Sequence, residues 1–201
     1  MARMPVEARR RALIAAALRV VAARGLGAAS TRAIVAEAGM SLASFHYAFE
    51  SRDELIELLI PEVLAHEQKA MLGSELAGDC LEELIAEGLT GYLTHLRADP
   101  QHEQALMDLT QYALRSRVSL AEEQYAQYQG VALAALDQAA TLANQRWTVP
   151  LATVATLLVA LTDGMTLNWL VTRNDDVASE VVAAAAKAVA SLAEPIPEET
   201  P

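Results

Sequence analysis

The chain has 201 residues, 53 % of them apolar and 20 % charged, enough to close a sizeable core in one or two domains. Its formal charge of −11 argues, taken alone, against a polyanionic partner, and a single cysteine, Cys80, excludes an internal disulfide. The N-terminus carries arginine clusters where a signal segment would be apolar, so a cytoplasmic protein is expected. The charge is unevenly spread. Residues 1–55 hold eight Arg against five acids, a net of +3, whereas the remainder holds seven Lys or Arg against 21 Asp or Glu, a net of −14. A basic head on an acidic body would turn only the head toward nucleic acid; an arginine-rich, solvated N-terminus is the plainer reading of the same numbers.

In chain order, the stripe Leu13, Ala17, Val20 and Val21 predicts a first helix from about Val6 to Arg24, stopped by Gly25 and Gly27. Ser30 and Thr31 cap a short second helix with an apolar face of Ile34, Val35 and Ala38, and Gly39 supplies the left-handed residue that ends it. Ser41 caps a third, Leu42–Tyr47. Two short helices joined by a glycine turn make a helix-turn-helix, whose second helix reads base edges in the major groove. A longer helix opens at Ser51, with Arg52, Asp53 and Glu54 in its first turn, and runs toward Lys69; Pro61 within it predicts a kink between Glu57 and Pro61.

Five more amphipathic segments follow, at about Asp79–Ala98, Gln101–Ser116, Leu120–Asn144, Pro150–Thr172 and Val177–Leu192, separated by glycine, proline and Asn-Asp punctuation. No alternating strand pattern is evident, so the fold class is all-α with about nine helices. The acidic, proline-rich tail, residues 194–201, is expected to be disordered. Val149–Val171 is apolar enough to raise a membrane span, but Asp163 and Asn168 lie within it and no basic flank anchors it, so no membrane partner is expected. That helix is apolar nearly all round: Leu151, Val154, Leu158, Leu161, Met165 and Trp169 form one stripe, while Ala155, Leu157, Ala160 and Leu167 fill the other sides. With Val181, Ala185 and Val189 of the last helix, Leu151, Val154, Leu158 and Leu161 are candidates for a two-fold, four-helix dimer interface; burial within one chain is the alternative.

The N-terminal quarter resembles the DNA-binding domain of TetR-family transcriptional regulators. Leu13, Ala16, Ala17, Val21 and Gly25 match the helix preceding the motif, and Ile34, Ala38, Gly39, Ser41, Ser44, Tyr47, Phe49, Ser51, Arg52 and Leu55 match the motif itself. His46 stands where the family usually has a phosphate-contacting tyrosine, and Ala48 where an aromatic or histidine is common. The resemblance implies double-stranded DNA as partner and a palindromic operator bound by a homodimer. It places Thr31 and Arg32 at backbone and base edges, Leu42 and Ala43 against thymine methyls, Ser44 on a base or phosphate, and His46, Tyr47 and Arg52 on phosphates. Capping or a solvated hydroxyl is the alternative for Thr31 and Ser44, and core packing for Tyr47. Arg9, Arg10 and Arg11 form an arm that would add contacts or remain solvated.

The resemblance also implies a small-molecule effector bound by the body. Tyr92, His95, Met107, Tyr112, Tyr125, Tyr128, Met165 and Trp169 are the candidate lining, a bulky and partly polar set, any of which core packing would also explain. Asp108, Glu122 or Asp163 would favour a cation if buried beside it. No phosphate-cradling loop, paired-His motif or nucleophile elbow occurs, and His46, His66, His95 and His102 are scattered, so no catalytic residue, metal or cofactor is expected. The expected organisation is a DNA-binding head over residues 1–50 and an effector and dimerisation body over 51–193. The expected function is a ligand-released repressor; the alternative is a helical small-molecule-binding protein without DNA-binding activity.

Overall fold

The computed structural model describes residues 4–60 and 77–197. The expected kink at Pro61, the second half of its helix, His66 and residues 198–201 lie outside them. Among the described residues the fold is all-α, as expected. It comprises α1 (Val6–Arg24), a 3-10 turn (Leu26–Ala28), α2 (Thr31–Glu37), α3 (Leu42–Ala48), α4 (52–60), α5 (Leu81–Ala98), α6 (Pro100–Ser116), α7 (Val118–Leu142), α8 (Leu151–Thr172) and α9 (Asp175–Ala190). Expected helix boundaries differ from these by one or two residues. The described residues form two compact units: 4–60 with 99–124, and 77–98 with 125–197. Each draws on two separate stretches of sequence, so α6 belongs with the N-terminal helices.

In the first unit, α1 buries Leu13, Ala16, Ala17, Val20 and Val21, and α2 and α3 add Ile34, Val35 and Phe45 to the same core. The turn between α2 and α3 is a Schellman close. Gly39, at φ 64°, donates to the Ala36 carbonyl at 3.2 Å, and Met40 donates to Val35 at 2.8 Å, which satisfies carbonyls that the helix end would strand. Ser30 and Ser41 cap α2 and α3, their hydroxyls accepting from the amides of Ala33 and Ser44, each at 3.2 Å. The start of α4 is a reciprocal cap. Ser51 Oγ accepts from the Glu54 amide at 3.0 Å, and Glu54 Oε2 accepts from the Glu50 amide at 2.7 Å.

The second unit is a bundle of α5, the greater part of α7, α8 and α9. Its core takes Leu84, Leu89, Leu93 and Leu96 from α5, Leu136 from α7, Val154, Met165 and Trp169 from α8, and Val182, Ala186 and Val189 from α9. Asn174 caps α9, its side-chain oxygen accepting from the Val177 amide at 3.1 Å, after Arg173 has closed α8 in the left-handed conformation at φ 52°. Two features depart from expectation. A short antiparallel ladder pairs β1 (Gln145–Trp147) with β2 (Ala193–Pro195), and Arg146 pairs with Glu194 at 2.7 Å. The first residues of the tail expected to be disordered, Glu194 and Pro195, are thus held by backbone pairing, with Ile196 donating to the Asn144 carbonyl at 3.1 Å. Among the described residues α8 is long and apolar enough, by length and composition, to cross a membrane, but one side of it belongs to the bundle core.

Candidate nucleic-acid interface and effector face

The helix-turn-helix exposes the side chains that a groove-reading element needs outside. Leu42 is 44 % exposed and Tyr47 54 %, and Arg32, Ala43 and His46 are exposed as well, whereas Phe45 and Ala48 on the opposite side of α3 are buried. An exposed leucine beside an exposed alanine at a helix N-terminus suits contact with thymine methyls. Tyr47 is therefore not a core residue. Arg9 stacks on it, with its guanidinium carbon 4.9 Å from the ring centre, which brings one arm residue to the same surface. Ala48 is 5 % exposed, so a larger side chain there would have to displace core.

Other candidates also take part in the fold. Ser44 is half-buried, and its hydroxyl lies 3.1 Å from Ser41 Oγ, so it shares in the cap. Thr31 is half-buried at the first turn of α2. Arg52, expected at a phosphate, points inward: Nε donates to the Ala29 carbonyl at 2.7 Å and Nη2 to the Leu26 carbonyl at 2.8 Å. Arg10 likewise donates to the Ala48 carbonyl, pairs with Glu54 at 3.1 Å and covers Phe49 at 4.3 Å. At Ala29 and Ala48 these arginines meet carbonyls at the end of a helix or turn, while the Leu26 carbonyl also accepts from the Ala29 amide at 3.1 Å. From the other side, Asp108 on α6 accepts from the Leu26 amide at 3.0 Å. The turn at residues 26–29 is thus gripped by α4 and α6 together. That contact joins residues 82 apart in sequence, and nothing local announces it.

The effector candidates divide between the two units. Met107 and Tyr112 lie on α6 in the first. Burial pushes the Tyr112 phenol up, and Asp53 and Glu57 add to the shift against an opposing bond with Ser116. In the second unit, Met165 and Trp169 are buried core; Trp169 Nε1 donates to Asp175 at 2.8 Å and Arg173 covers its ring at 4.5 Å, so both are structural. Tyr92, His95, Tyr125 and Tyr128 are half-buried. Tyr92 Oη lies 2.6 Å from Thr166 Oγ1 on α8. Tyr125 donates to Asp163 Oδ2, also on α8, at 2.8 Å, and its ring meets Tyr128 edge-on at 5.8 Å. Burial, followed by the Asp163 bond and charge, pushes the Tyr125 phenol up to about 12, and burial likewise raises Asp163 against the Tyr125 bond. Helices α5, α7 and α8 thus bring three tyrosines and one acid to adjacent turns of α8. Thr166 was not among the candidates, and no local pattern marks it. Of the other acids named, Asp108 is the latch on Leu26, and Glu122 is exposed.

The dimerisation candidates need correction. Val154 and Val189 are fully buried and Ala185 is 8 % exposed, all within the bundle's own core; Leu151, Leu158 and Leu161 pack partly against it. Only Val181, at 39 %, faces out. The exposed apolar side is the opposite one: Leu157 at 38 %, Leu167 at 52 % and Val171 at 76 % on α8, continued by Val177 at 40 % on α9. A helix apolar on all sides gives periodicity no means of telling which stripe faces its own core.

Residues 13–59 match the model of the family described as "Bacterial regulatory proteins, tetR family". The nicotine-responsive transcriptional repressor HdnoR of Paenarthrobacter nicotinovorans is 26 % identical over 169 residues, covering 83 % of this chain and 86 % of that one. A transcriptional regulator from Rhodococcus sp. Rha1 superposes with a TM-score of 0.73 at 20 % identity, over 94 % of this chain and 99 % of its own. The multidrug binding protein EbrR in complex with imidazole gives a TM-score of 0.60 at 28 % identity, over 97 % and 96 %; another EbrR structure holds ethidium. A helix-turn-helix with an exposed reading helix, the family match over residues 13–59 and the shared fold lead to one conclusion: residues 13–59 form a tetR-type DNA-binding domain, in a chain that has the fold of known transcriptional regulators.

Proposed function

We propose that this regulator is a cytoplasmic, homodimeric repressor that occupies a palindromic operator and leaves it when a small molecule binds the body. The observation that carries the reading is the pairing of an outward-facing α3, bearing Leu42, Ala43, His46 and Tyr47, with an outward-facing apolar stripe on α8 and α9. The first needs DNA. The second needs a partner, and a second copy laid against it would complete a four-helix bundle whose two-fold axis matches an operator of two half-sites. Residues 1–50 supply the DNA-reading head and 51–193 the effector and dimerisation body. Arg32, Leu42 and Ala43 read bases; Thr31, Ser44, His46 and Tyr47 contact the backbone.

Small-molecule control is supported by the nicotine response of HdnoR and by the ligand complexes of EbrR. The mechanism is a population shift. Effector binding would favour a body arrangement in which the two α3 helices no longer sit about 34–36 Å apart, the spacing of half-sites one DNA turn apart. The alternative of a ligand-binding protein without DNA-binding activity draws no support from α3, which is capped and exposed. Footprinting over the gene's upstream DNA tests the reading: two symmetric protected half-sites are expected, lost on Arg32→Ala with Ser44→Ala. A single asymmetric footprint, or one unchanged by the double substitution, would contradict it.

A further inference from the structure

Two adjacent arginines of α1 reach α3 in different ways. Arg9 stacks on the exposed Tyr47, whereas Arg10 is half-buried, its side chain 27 % exposed, and its guanidinium serves three elements at once. Nη1 donates to the Ala48 carbonyl at the end of α3, and Nη2 pairs with Glu54 Oε1 in the first turn of α4 at 3.1 Å. The central carbon lies 4.3 Å from the centre of the Phe49 ring, in the link between those helices. Each partner is itself fixed. Glu54 commits its other oxygen, Oε2, to the Glu50 amide at 2.7 Å. Phe49 is 2 % exposed, and its ring centre lies 5.5 Å from that of Phe45, the fully buried residue of α3.

Such a fork matters more to α3 than to a longer helix. With seven residues α3 makes about two turns, and only Phe45 and Ala48 are buried, so little apolar area sets its angle to the rest of the head. Ser41 holds its N-terminal end, the hydroxyl accepting from the Ser44 amide at 3.2 Å. Arg10 holds the other end, from α1 and through Glu54 from α4. Contacts to base edges are directional, and they tolerate errors of only about 0.5 Å and 10–20° in the side chains that make them. Contacts to phosphate tolerate more, because much of their attraction is that of a charge for a polyanion. Loosening one end of α3 would therefore harm sequence reading before it harmed general attraction to DNA.

We propose that Arg10 is a positioning residue for base reading: it sets the angle at which α3 presents Leu42, Ala43 and His46, and so governs discrimination between sequences rather than affinity for DNA in general. This rests on the reading of DNA through α3 proposed above and names the group that aims the helix. Two substitutions test it from opposite sides. Arg10→Lys keeps the charge but replaces the planar fork with a point donor that reaches one partner at most. Glu54→Gln breaks the pair while making the head less acidic, which by charge alone favours every duplex. Each full-length variant is titrated, well below its melting temperature and over a range of salt, against the duplex protected in the upstream footprint and a scrambled duplex of equal length. Arg10→Lys should weaken the footprint duplex about tenfold, within the range of one lost base contact, and leave the scrambled duplex and the slope of log K on log salt unchanged. Glu54→Gln should weaken the footprint duplex about threefold while the scrambled duplex binds as well or better; it decides alone if the lysine chain is unfolded. Footprint affinity unchanged in both variants would overturn the proposal, and so would Arg10→Lys weakening both duplexes by one factor. A wild-type chain that fails to tell the two duplexes apart would overturn the reading through α3 and this proposal with it, whereas discrimination that survives both substitutions overturns this proposal alone.

Discussion

Replacing Arg52 with alanine separates two roles that sequence and structure assign to one side chain. As a phosphate clamp, Arg52 would contribute to binding and little to folding. As the structure has it, the guanidinium donates to the carbonyls of Ala29, a fully buried residue, at 2.7 Å and of Leu26 at 2.8 Å, and its side chain is 31 % exposed. A hydrogen bond from a charged group contributes about 1.5–3 kcal/mol, and a buried carbonyl left without a donor adds its own desolvation cost. Solvent access at Leu26 reduces the sum, so Arg52→Ala should cost about 2–4 kcal/mol. In a chain of this size that lowers Tm by roughly 5–15 °C. Lysine, a point donor without the planar fork, would reach one carbonyl at most and recover about half of the loss. The assay is thermal denaturation paired with operator affinity against salt. A lost phosphate contact flattens the slope of log K on log salt by about 0.9 per head, or about 1.8 for a dimer. Unchanged melting with a flattened slope would refute the reasoning and restore the clamp.

Three further outcomes follow from the same geometry. The Glu50 amide, followed by the Arg10 bond and charge, holds the Glu54 carboxyl below its ordinary value despite some burial, so its contribution is present above the unfolded pKa and is lost as pH falls through the lower folded one; Glu54→Gln should cost about 1 kcal/mol at neutral pH in denaturant titrations, the difference vanishing in acid, and a constant difference would count against the cap. Leu167→Glu with Val171→Glu should leave the fold intact and turn the proposed dimer into monomer by sedimentation equilibrium, whereas Val189→Ala in the core should cost about 2–3 kcal/mol with assembly unaffected; a double mutant that stays dimeric would move the interface elsewhere. Asp108→Ala should speed hydrogen exchange of the Leu26 amide about fivefold, consistent with the loss of about 1 kcal/mol of local protection, and no change would mean that α6 does not hold the turn.

The helix-turn-helix was legible because its signals are local: Ser30, Gly39 and Ser41 act within a few residues of themselves, and their capping and left-handed turn appear as the sequence predicts. The interior side of α1 was legible for the same reason. The inward bonds of Arg52 were not legible because its acceptors lie 23 and 26 residues earlier, and a helix N-terminus bearing an arginine looks the same whether the side chain turns out to a phosphate or back to a carbonyl. On α8 the composition revealed a second apolar side but not which side was second; only the packing of Val154, Met165 and Trp169 decides that. The ladder of β1 and β2 escaped because strands of three residues carry no usable alternation and pair across 48 residues. The meeting of Tyr125 with Asp163 depends on the approach of two helices, which periodicity does not encode.

The central claim is that this chain reads DNA sequence through α3. Its most direct test is fluorescence anisotropy of a labelled duplex from the gene's own upstream region, titrated with the full chain at two salt concentrations beside a scrambled duplex of equal length. The account predicts tight binding to the first, weaker by a factor of about a thousand or more to the second, and loss of affinity as salt rises. Equal, weak binding to both duplexes at both salts, by a chain that is folded and dimeric, would contradict it.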